Sequence, residues 1–351
     1  MKSLKSFLPK GNVKNYLGIL IVVLAIIGYQ VKIDYYIMRP GSAEHLRPII
    51  QVEGATGTES GKLMLTTVSS IPGNVLFYLV SMLDQNTELV EKEEIVGHYD
   101  MDDELYRQIM LLYMSQSQQE AIYNAFLLAG EPVEFIEKAV LVRDISVESK
   151  AYQILRPGDK IVSVDGIEVR NAEQIIEYVK TKKPGTTVQV NFMRNNEARE
   201  EMIELISHPE FEEARIGIMI MTDRELVTDK KVDIDTGRIG GSSAGMMFTL
   251  EIFNQLTPED ITRGYNVAGT GTINADGLVG QIGGVKHKVK AAHKAKADIF
   301  FVPKDIQPYD TNEKDAIATN EEIGSPLTVV PVKHVSEVIE YLQEIDAKVK
   351  K

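Results

Sequence analysis

An apolar run of 14 residues, at residues 16–29, lies near the start of the chain. No acidic residue occurs before Asp34, and four lysines precede the run: Lys2, Lys5, Lys10 and Lys14. The run is short for a bilayer-spanning helix, although neighbouring lysines can extend a span by reaching the interface. The pattern predicts an uncleaved transmembrane signal anchor at residues 16–31, with a cleaved signal peptide as the alternative. Because the lysines precede the span, residues 1–15 are expected to be cytoplasmic and the remainder extracytoplasmic.

Strand and helix patterns divide the segment that follows. Residues 33–38 alternate in the manner of a strand and stop at Arg39-Pro40-Gly41. Residues 62–69 form a second strand pattern, which Pro72-Gly73 stops. Residues 102–128 then repeat apolar positions at helical spacing. This part of the chain is therefore expected to contain at least two strands and one long helix.

The middle of the chain, residues 131–208, has a distinctive order of elements. Residues 160–164 form a strand pattern, Asp165-Gly166 is a hairpin signal, and Asn171 is placed to cap a helix. This order resembles a PDZ domain. The glycine-rich carboxylate loop of that family is missing, and residues 139–142 hold its place. The resemblance implies capture of a peptide substrate by strand addition beside residues 139–142, while a domain that only packs and spaces is the alternative.

Composition narrows the function classes further. The chain has no Cys and no Trp, a net charge of −13 and a pI of about 5.1. No disulfide framework and no thiol nucleophile are available. No basic face is evident, so nucleic acid is not expected as a partner.

Two glycine-rich segments carry the candidate chemistry. Residues 240–245 place two serines among glycines at the start of an amphipathic helical run, and residues 283–288 place lysines at the start of another. Backbone N–H groups at a helix start can hold an oxyanion. A lysine that is desolvated nearby can lose its proton near neutral pH and act as a general base. Taken alone, the first segment favours a turn that only caps a helix, whereas the two segments together favour a catalytic site.

Three motifs in order resemble the proteolytic domain of the Lon-type serine proteases. Residues 241–245 resemble the family's Gly-Pro-Ser-Ala-Gly nucleophile motif, residues 263–271 its Val-Ala-Met-Thr-Gly strand, and residues 281–286 its Pro-Ile-Gly-Gly-Leu-Lys segment. The resemblance implies Ser243 as the nucleophile and Lys286 as the general base. It further implies supporting roles in the site, listed here: Thr270 as a hydroxyl near the lysine, and Gly241, Ser242 and Ala244 in the turn that stabilises the oxyanion.

The chain departs from the family pattern at two positions. Ser242 stands where the family usually has proline, which adds an N–H group and makes Ser242 a rival nucleophile. Ser243 is preferred because Ala244-Gly245 must follow the nucleophile to match the motif. Gly240 stands where many ATP-dependent Lon enzymes carry an acid.

Nucleotide and metal are not expected. Residues 57–63 resemble a phosphate loop but have three residues between the glycines instead of four, and Leu63 cannot bind magnesium. His287 and His293 are on different helix faces and have no third ligand nearby, which argues against zinc. The sequence therefore predicts no cofactor, no metal and no ATPase.

The resulting prediction is an α+β protein with an N-terminal transmembrane helix, a PDZ domain and a Lon-type Ser–Lys proteolytic domain. Residues 32–130 are assigned to a segment that packs on the protease domain, as in membrane-anchored relatives, residues 209–345 to the proteolytic domain and residues 346–351 to a tail. The arrangement is similar to bacterial YlbL-type secreted or anchored Lon-like proteases. It implies an ATP-independent serine endopeptidase on the outer face of a bacterial cell membrane, cleaving secreted or surface peptides and proteins. The alternative is a non-catalytic PDZ scaffold with an inactive protease fold.

Overall fold

The computed structural model describes residues 13–84, 86–96, 103–207 and 213–348. The α-helices of these residues are α1 Val13–Gln30, α2 Val75–Ser81, α3 Lys92–Val96, α4 Asp103–Ala129, α5 Ala172–Lys180, α6 Gly245–Leu256, α7 Val285–Lys294, α8 Asn312–Glu322 and α9 Val335–Glu344. The strands of the first half are β1 Lys32–His45, β2 Ile50–Val52, β3 Lys62–Asn74, β4 Glu88–Glu91, β5 Val133–Ile145, β6 Lys160–Val164 and β7 Ile167–Glu168. Those of the second half are β8 Thr187–Arg194, β9 Glu197–Glu204, β10 Ile206–Ser207, β11 Ala214–Arg215, β12 Ile218–Thr228, β13 Val232–Ile234, β14 Asn266–Gly269, β15 Thr272–Ile273, β16 Val279–Gly280, β17 Ile299–Pro303 and β18 Thr328–Val332.

One mixed sheet forms the centre of the larger unit. Its strands lie in the order β18-β17-β14-β3-β1-β4. Strand β14 is parallel to β3 and β17, whereas β1 runs antiparallel to β3 and β4. One face of the sheet packs on the core shared by α4, α6 and α9, and the other face packs on α7 and α8. Helices on both faces leave the sheet buried, which explains the continuous apolar run of β17.

Residues 32–130 are part of this larger unit. Strands β1 and β3 lie inside the sheet, and α4 packs along α6. The segment therefore supplies sheet strands and a core helix, a closer involvement than the predicted packing of one segment on another. The expected helix at 102–128 is found as α4.

Strand β1 continues past the predicted stop at Pro40-Gly41. Its register with β3 shifts between Pro40 and Ala43, which marks an irregularity in the pairing. At Gly41 an added Cβ would lie 2.2 Å from Thr67 Oγ1, so only glycine allows the strands this close approach. The proline and glycine therefore bend the strand without ending it. Strand β3 likewise runs on to Asn74, through the predicted stop at Pro72-Gly73.

The PDZ-like unit is an antiparallel sheet with one helix. Its strands lie in the order β12-β5-β6-β8-β9, with β7 paired to β6. The predicted hairpin at Asp165-Gly166 is confirmed, since both residues have positive φ. The predicted cap is confirmed as well, because Asn171 accepts a hydrogen bond from the Gln174 N–H at 3.0 Å. Strand β12 lies beyond the predicted boundary at residue 208, and it pairs with β5 along its whole length.

Helix α1 covers the apolar run at the start of the chain. Its large apolar side chains from Tyr16 to Tyr29 are between 44% and 61% exposed. Within the part of the chain that the structure describes, no helix has both the length and the apolar character needed to cross a membrane. The predicted transmembrane anchor at residues 16–31 is therefore not supported.

Candidate active site

Ser243 lies two residues before the first residue of helix α6, in the turn that enters it. Gly241 has φ of 90°, a conformation that favours glycine. At Gly245 an added Cβ would lie 2.7 Å from Ser117 Oγ and 2.8 Å from Ile273 Cγ2, so glycine is required by close packing. The glycines around Ser243 therefore let the turn fit tightly between α4 and the β14–β15 region. This is a physical reason for the spacing that the sequence motif displays.

Lys288 is the lysine that contacts Ser243. Its Nζ lies 2.7 Å from Ser243 Oγ and 3.0 Å from Thr270 Oγ1, donating to both in the ammonium form. The residue is 3% exposed, and within the described residues no carboxylate forms an ion pair with it. Burial lowers the pKa of the Lys288 amine from 10.5 to about 7. A substantial fraction of this amine is therefore uncharged at neutral pH.

The structure does not bring Lys286, the predicted base, to Ser243; the lysine that contacts this serine is Lys288. The Lys286 side chain is 57% exposed, and its Nζ lies 3.9 Å from Asp315 Oδ1. Two residues along a helix correspond to a rotation of about 200°, so Lys286 and Lys288 point to opposite sides of α7. Lys286 belongs to the outer surface of the helix.

A helical pattern in the sequence identifies Lys288 as the inward lysine. The apolar residues Val285, Val289 and Ala292 recur at helical spacing, and Lys288 falls within the same stripe. Lys286, Lys290 and Lys294 recur every fourth residue on the other side. A lysine in the apolar stripe of an otherwise amphipathic helix is the signal that motif matching alone misses.

Thr270 ties the serine turn to the lysine. Its hydroxyl donates to the Ser243 carbonyl oxygen at 3.0 Å and accepts from Lys288. The Gly271 N–H donates to the same carbonyl at 2.9 Å. Thr270 is fully buried, so the predicted hydroxyl beside the lysine is in place, although the lysine is Lys288.

The supporting residues of the turn are held in different ways. The Gly241 N–H donates to the Met110 carbonyl at 2.7 Å. The Ser242 carbonyl accepts from Ser117 Oγ at 3.0 Å. Lys288 contacts the hydroxyl of Ser243 and not that of Ser242, which favours Ser243 over its rival. Ala244 precedes the first residue of α6 and is buried.

An open cleft of about 1030 Å³ leads to Ser243 and Lys288. Its walls combine the turn at residues 240–244, called the nucleophile turn below after the predicted role of Ser243, with Tyr36 of β1 and Met110 of α4, both from the N-terminal segment. The charged residues Glu44, Glu88, Glu94, Arg107 and Arg238 also line it. The size of the cleft is consistent with binding of a peptide segment.

The histidines of α7 take no part in this contact. His287 Nε2 lies 3.1 Å from Glu88 Oε2, and burial lowers the pKa of the imidazole below its usual range. His293 Nδ1 lies 2.9 Å from Ser325 Oγ. The two imidazoles therefore have separate partners, and Ser243 has a lysine as its basic neighbour.

Comparison with known proteins assigns families to two parts of the chain. Residues 221–344 match the Lon protease C-terminal proteolytic domain, and residues 129–205 match the PDZ domain. The chain thus carries a Lon-type proteolytic domain, which is the catalytic domain of a serine endopeptidase family, together with a PDZ domain. Both domains are those that the sequence motifs predict.

The curated relatives are much longer than the shared region. The Lon protease of Metamycoplasma arthritidis is 35% identical over 108 residues, which cover 31% of this chain and 12% of that protein. The Lon protease of Chloroflexus aggregans is 28% identical over 213 residues, which cover 59% of this chain and 24% of that protein. The chain therefore spans at most about a quarter of the length of these relatives. A solved PDZ domain, from the SdrC-like protein of Listeria monocytogenes, is 26% identical to this chain. The match covers 24% of this chain and 90% of that chain, with a TM-score of 0.24.

The burial of Lys288 predicts a pH-dependent stability difference. An unfolded lysine has a pKa of about 10.4, whereas the folded value is about 7. Between these values the unfolded chain binds more protons, so stability should rise with pH. Lys288→Met removes this dependence, and its stability relative to the parent protein should be highest at pH 6 and should fall as the pH approaches 10.

Urea unfolding of both proteins at pH 6, 7, 8 and 9 measures this difference. Lys286→Met is the matched control, because its exposed side chain should leave the free energy of unfolding nearly unchanged at each pH. A difference between Lys288→Met and the parent that is constant from pH 6 to 9 would contradict a buried amine of lowered pKa.

Proposed function

We propose that the protein is an ATP-independent serine endopeptidase in which Ser243 is the nucleophile and Lys288 is the general base. The observation that carries this proposal is the 2.7 Å contact between Lys288 Nζ and Ser243 Oγ at a buried position. The match of residues 221–344 to a Lon proteolytic domain supports the same reaction class. The proposal includes the YlbL-type arrangement, in which a PDZ domain and a Lon-like proteolytic domain belong to one secreted or anchored protein. The proposed reaction uses no ATP-driven unfolding, so flexible segments and unfolded chains are the expected substrates, because a folded domain exposes few of them.

The geometry supports a two-step acyl transfer. The neutral Lys288 amine takes the proton of the Ser243 hydroxyl as Oγ attacks the peptide carbonyl. The carbonyl oxygen becomes an oxyanion, which backbone N–H groups of the nucleophile turn stabilise. The lysine ammonium then gives its proton to the departing amine, and the C–N bond breaks. A water molecule that Lys288 deprotonates hydrolyses the ester, and Ser243 recovers its proton.

A non-catalytic scaffold is the alternative from another class of protein. A scaffold requires no chemistry at Ser243, whereas a buried lysine amine without a carboxylate partner costs folding free energy and has a strongly shifted pKa, a combination that is typical of functional sites. The contact between Lys288 and Ser243 therefore favours the enzyme.

Substitutions at the two reacting groups test the reaction. Ser243→Ala and Lys288→Met should each reduce kcat for a flexible protein substrate by at least about 1000-fold, and the double variant should be scarcely worse than either. Ser242→Ala and Lys286→Met should keep most of the activity. Added ATP should leave the rate unchanged. A dead Lys286→Met variant beside an active Lys288→Met variant would contradict the assignment.

The same assay should depend on pH through Lys288. The amine acts as a base only when it is uncharged, so kcat should rise from pH 6 and level off above pH 8, around the lowered pKa of about 7. Thr270→Val removes the hydroxyl that accepts from Lys288 and should lower kcat more than it raises KM. A flat profile between pH 6 and 9, with chemistry limiting, would count against lysine as the base.

We further propose that the PDZ unit holds the substrate in a groove between α5 and the start of β12. Strand addition beside residues 139–142, as the sequence predicted, is blocked, since β5 is covered by β12 on one side and by β6 on the other. The groove has a volume of about 540 Å³ and is lined mainly by apolar residues, including Ile175, Ile176, Ile218 and Ile220. In the described sheet, β12 pairs with β5 alone, so its other edge can receive an extended peptide.

A matched pair of substitutions tests this groove. Met219 lines the groove and is 56% exposed, whereas Met202 is 58% exposed and is not among the groove residues. Met219→Glu should raise KM for an unfolded protein substrate by about 10-fold and leave a short peptide nearly unaffected, because only the long chain can also occupy the groove. Met202→Glu should change neither value. Equal effects of Met219→Glu on both substrates would indicate that the PDZ unit only packs and spaces.

We also propose that the folded part acts outside the cytoplasmic membrane, attached to lipid through α1. The exposed apolar side chains of α1 support contact with lipid. The lysines that precede α1 in sequence favour a cytoplasmic N-terminus and an outer location for the remainder. Nothing in the fold of the catalytic cleft depends on this location.

Two measurements on the full chain test the location. External protease added to intact expressing cells should shave the folded part while a cytoplasmic marker survives. The purified protein should float with anionic liposomes, and a variant lacking residues 1–30 should not. Protection of the folded part in intact cells would contradict the proposed side of the membrane.

A further inference from the structure

Helix α4 lies outside the matched protease region, yet it holds the nucleophile turn at two points. The Met110 carbonyl accepts from the Gly241 N–H at 2.7 Å, and Ser117 Oγ donates to the Ser242 carbonyl at 3.0 Å. Met110 and Ser117 are seven residues apart, so they lie on one face of the helix, two turns apart. The turn that carries Ser243 is therefore braced along one side by a single rigid element.

Two hydrogen bonds to the Ser242 carbonyl, from Ser117 Oγ at 3.0 Å and from the Gly245 N–H at 3.3 Å, fix the direction of a backbone N–H group. A peptide unit is planar and trans, so its carbonyl and its N–H point in opposite directions. Since the Ser242 carbonyl points towards Ser117 on α4, the N–H of Ser243 points away from α4. Without hydrogen bonds to the Ser242 carbonyl, the peptide unit between Ser242 and Ser243 could rotate and point its N–H in another direction.

The following peptide is fixed in the same manner by other groups. The Ser243 carbonyl accepts from Thr270 Oγ1 and from the Gly271 N–H. The N–H of Ala244 therefore points away from the β14–β15 connection. Within the part of the chain that the structure describes, neither the Ser243 N–H nor the Ala244 N–H donates a hydrogen bond. Two adjacent N–H groups beside Ser243 Oγ are thus oriented and open.

The Gly241 N–H differs from these two groups. It is already engaged by the Met110 carbonyl, so it has no free hydrogen for an oxyanion in this arrangement. At Gly240 an added Cβ would lie 2.9 Å from Met110 Cβ, so a side chain at this position would push α4 away. The glycine that departs from the family pattern is the one that lets α4 approach the turn.

Ser117 can hold the turn in place because close packing restricts its side chain. The residue is 3% exposed, and its Oγ would lie 2.7 Å from a Cβ added at Gly245. Loss of the hydroxyl would remove the shorter of the two hydrogen bonds to the partly buried Ser242 carbonyl and leave it only the 3.3 Å contact from the Gly245 N–H.

We propose that Ser117 is a positioning residue that aims the Ser243 N–H at the developing oxyanion by holding the Ser242 carbonyl. This inference rests on the proposed endopeptidase function and adds a residue from outside the matched domain to it. Ser117 is not among the residues that line the cleft, and its described hydrogen bond is to the Ser242 carbonyl, so it acts through the turn. Its loss should therefore weaken stabilisation of the tetrahedral state and leave substrate binding and the basicity of Lys288 unchanged.

The test compares Ser117→Ala with Ser115→Ala, an exposed serine on the same helix. Removal of one oxyanion donor costs about 100- to 1000-fold in kcat, so misaiming one should cost about 10- to 100-fold. Ser117→Ala should lower kcat by this factor, change KM less than about 3-fold and keep the pH of half-maximal rate. It should weaken binding of a peptide boronate, which forms a tetrahedral adduct with serine, by a similar factor to kcat. Ser115→Ala should behave like the parent.

Ser117→Cys carries the same comparison should the alanine variant fail to fold, because it keeps the size of the side chain but is a weak donor. Equal kcat and boronate affinity for the Ser117 and Ser115 variants would overturn the inference. A fall in kcat accompanied by a shifted pH profile would also overturn it, since that result places the damage at Lys288. If the parent protein neither cleaves the substrate nor binds the boronate, the proposed function itself fails, which is a distinct outcome.

Discussion

A lysine amine buried against a serine hydroxyl is the constraint on which the rest of the site depends. Lys288 has no carboxylate partner in the described part of the chain, so burial and the hydroxyls of Ser243 and Thr270 define its surroundings. A gap in this packing would admit water and return the amine to its charged form. The tight glycine contacts around the turn and the apolar face of α7 thus exclude water from the Lys288 amine, and this exclusion keeps its pKa low.

Periodic features of the fold could be predicted from the sequence, whereas features set by distant pairing could not. The helix at α4, the cap at Asn171 and the positive-φ turn at Asp165-Gly166 follow from local patterns, and all three are present. The continuation of β1 beyond Pro40-Gly41 depends on its partner β3, which no local signal reveals. Lys288 lies between these cases. The apolar stripe of α7 marks it as buried, but a short motif ending at Lys286 directs attention to the wrong face.

The catalytic cleft is assembled from parts of the chain that lie far apart in sequence. The nucleophile turn and Lys288 come from the region that matches a Lon proteolytic domain, while β1, β3 and α4 come from residues before the PDZ unit. Strand β14, which leads to Thr270, pairs in parallel with β3. The segment before the PDZ unit is therefore as much a part of the site as the matched domain. This explains why family motifs could identify the serine turn but could not describe the walls around it.

The PDZ unit is an insertion with two attachments, and this has a geometric consequence for any peptide in its groove. The chain enters along β5 and returns along β12, where Val133 pairs with Thr228, and the side chains of Glu131 and Lys230 form an ion pair at the base. Two paired strands make a stiff stalk, unlike a single flexible linker that lets a domain swing. A peptide held in the proposed PDZ groove would reach Ser243 across a span that these paired strands restrict. The shortest peptide that can bridge this span therefore sets the minimum length of an anchored substrate.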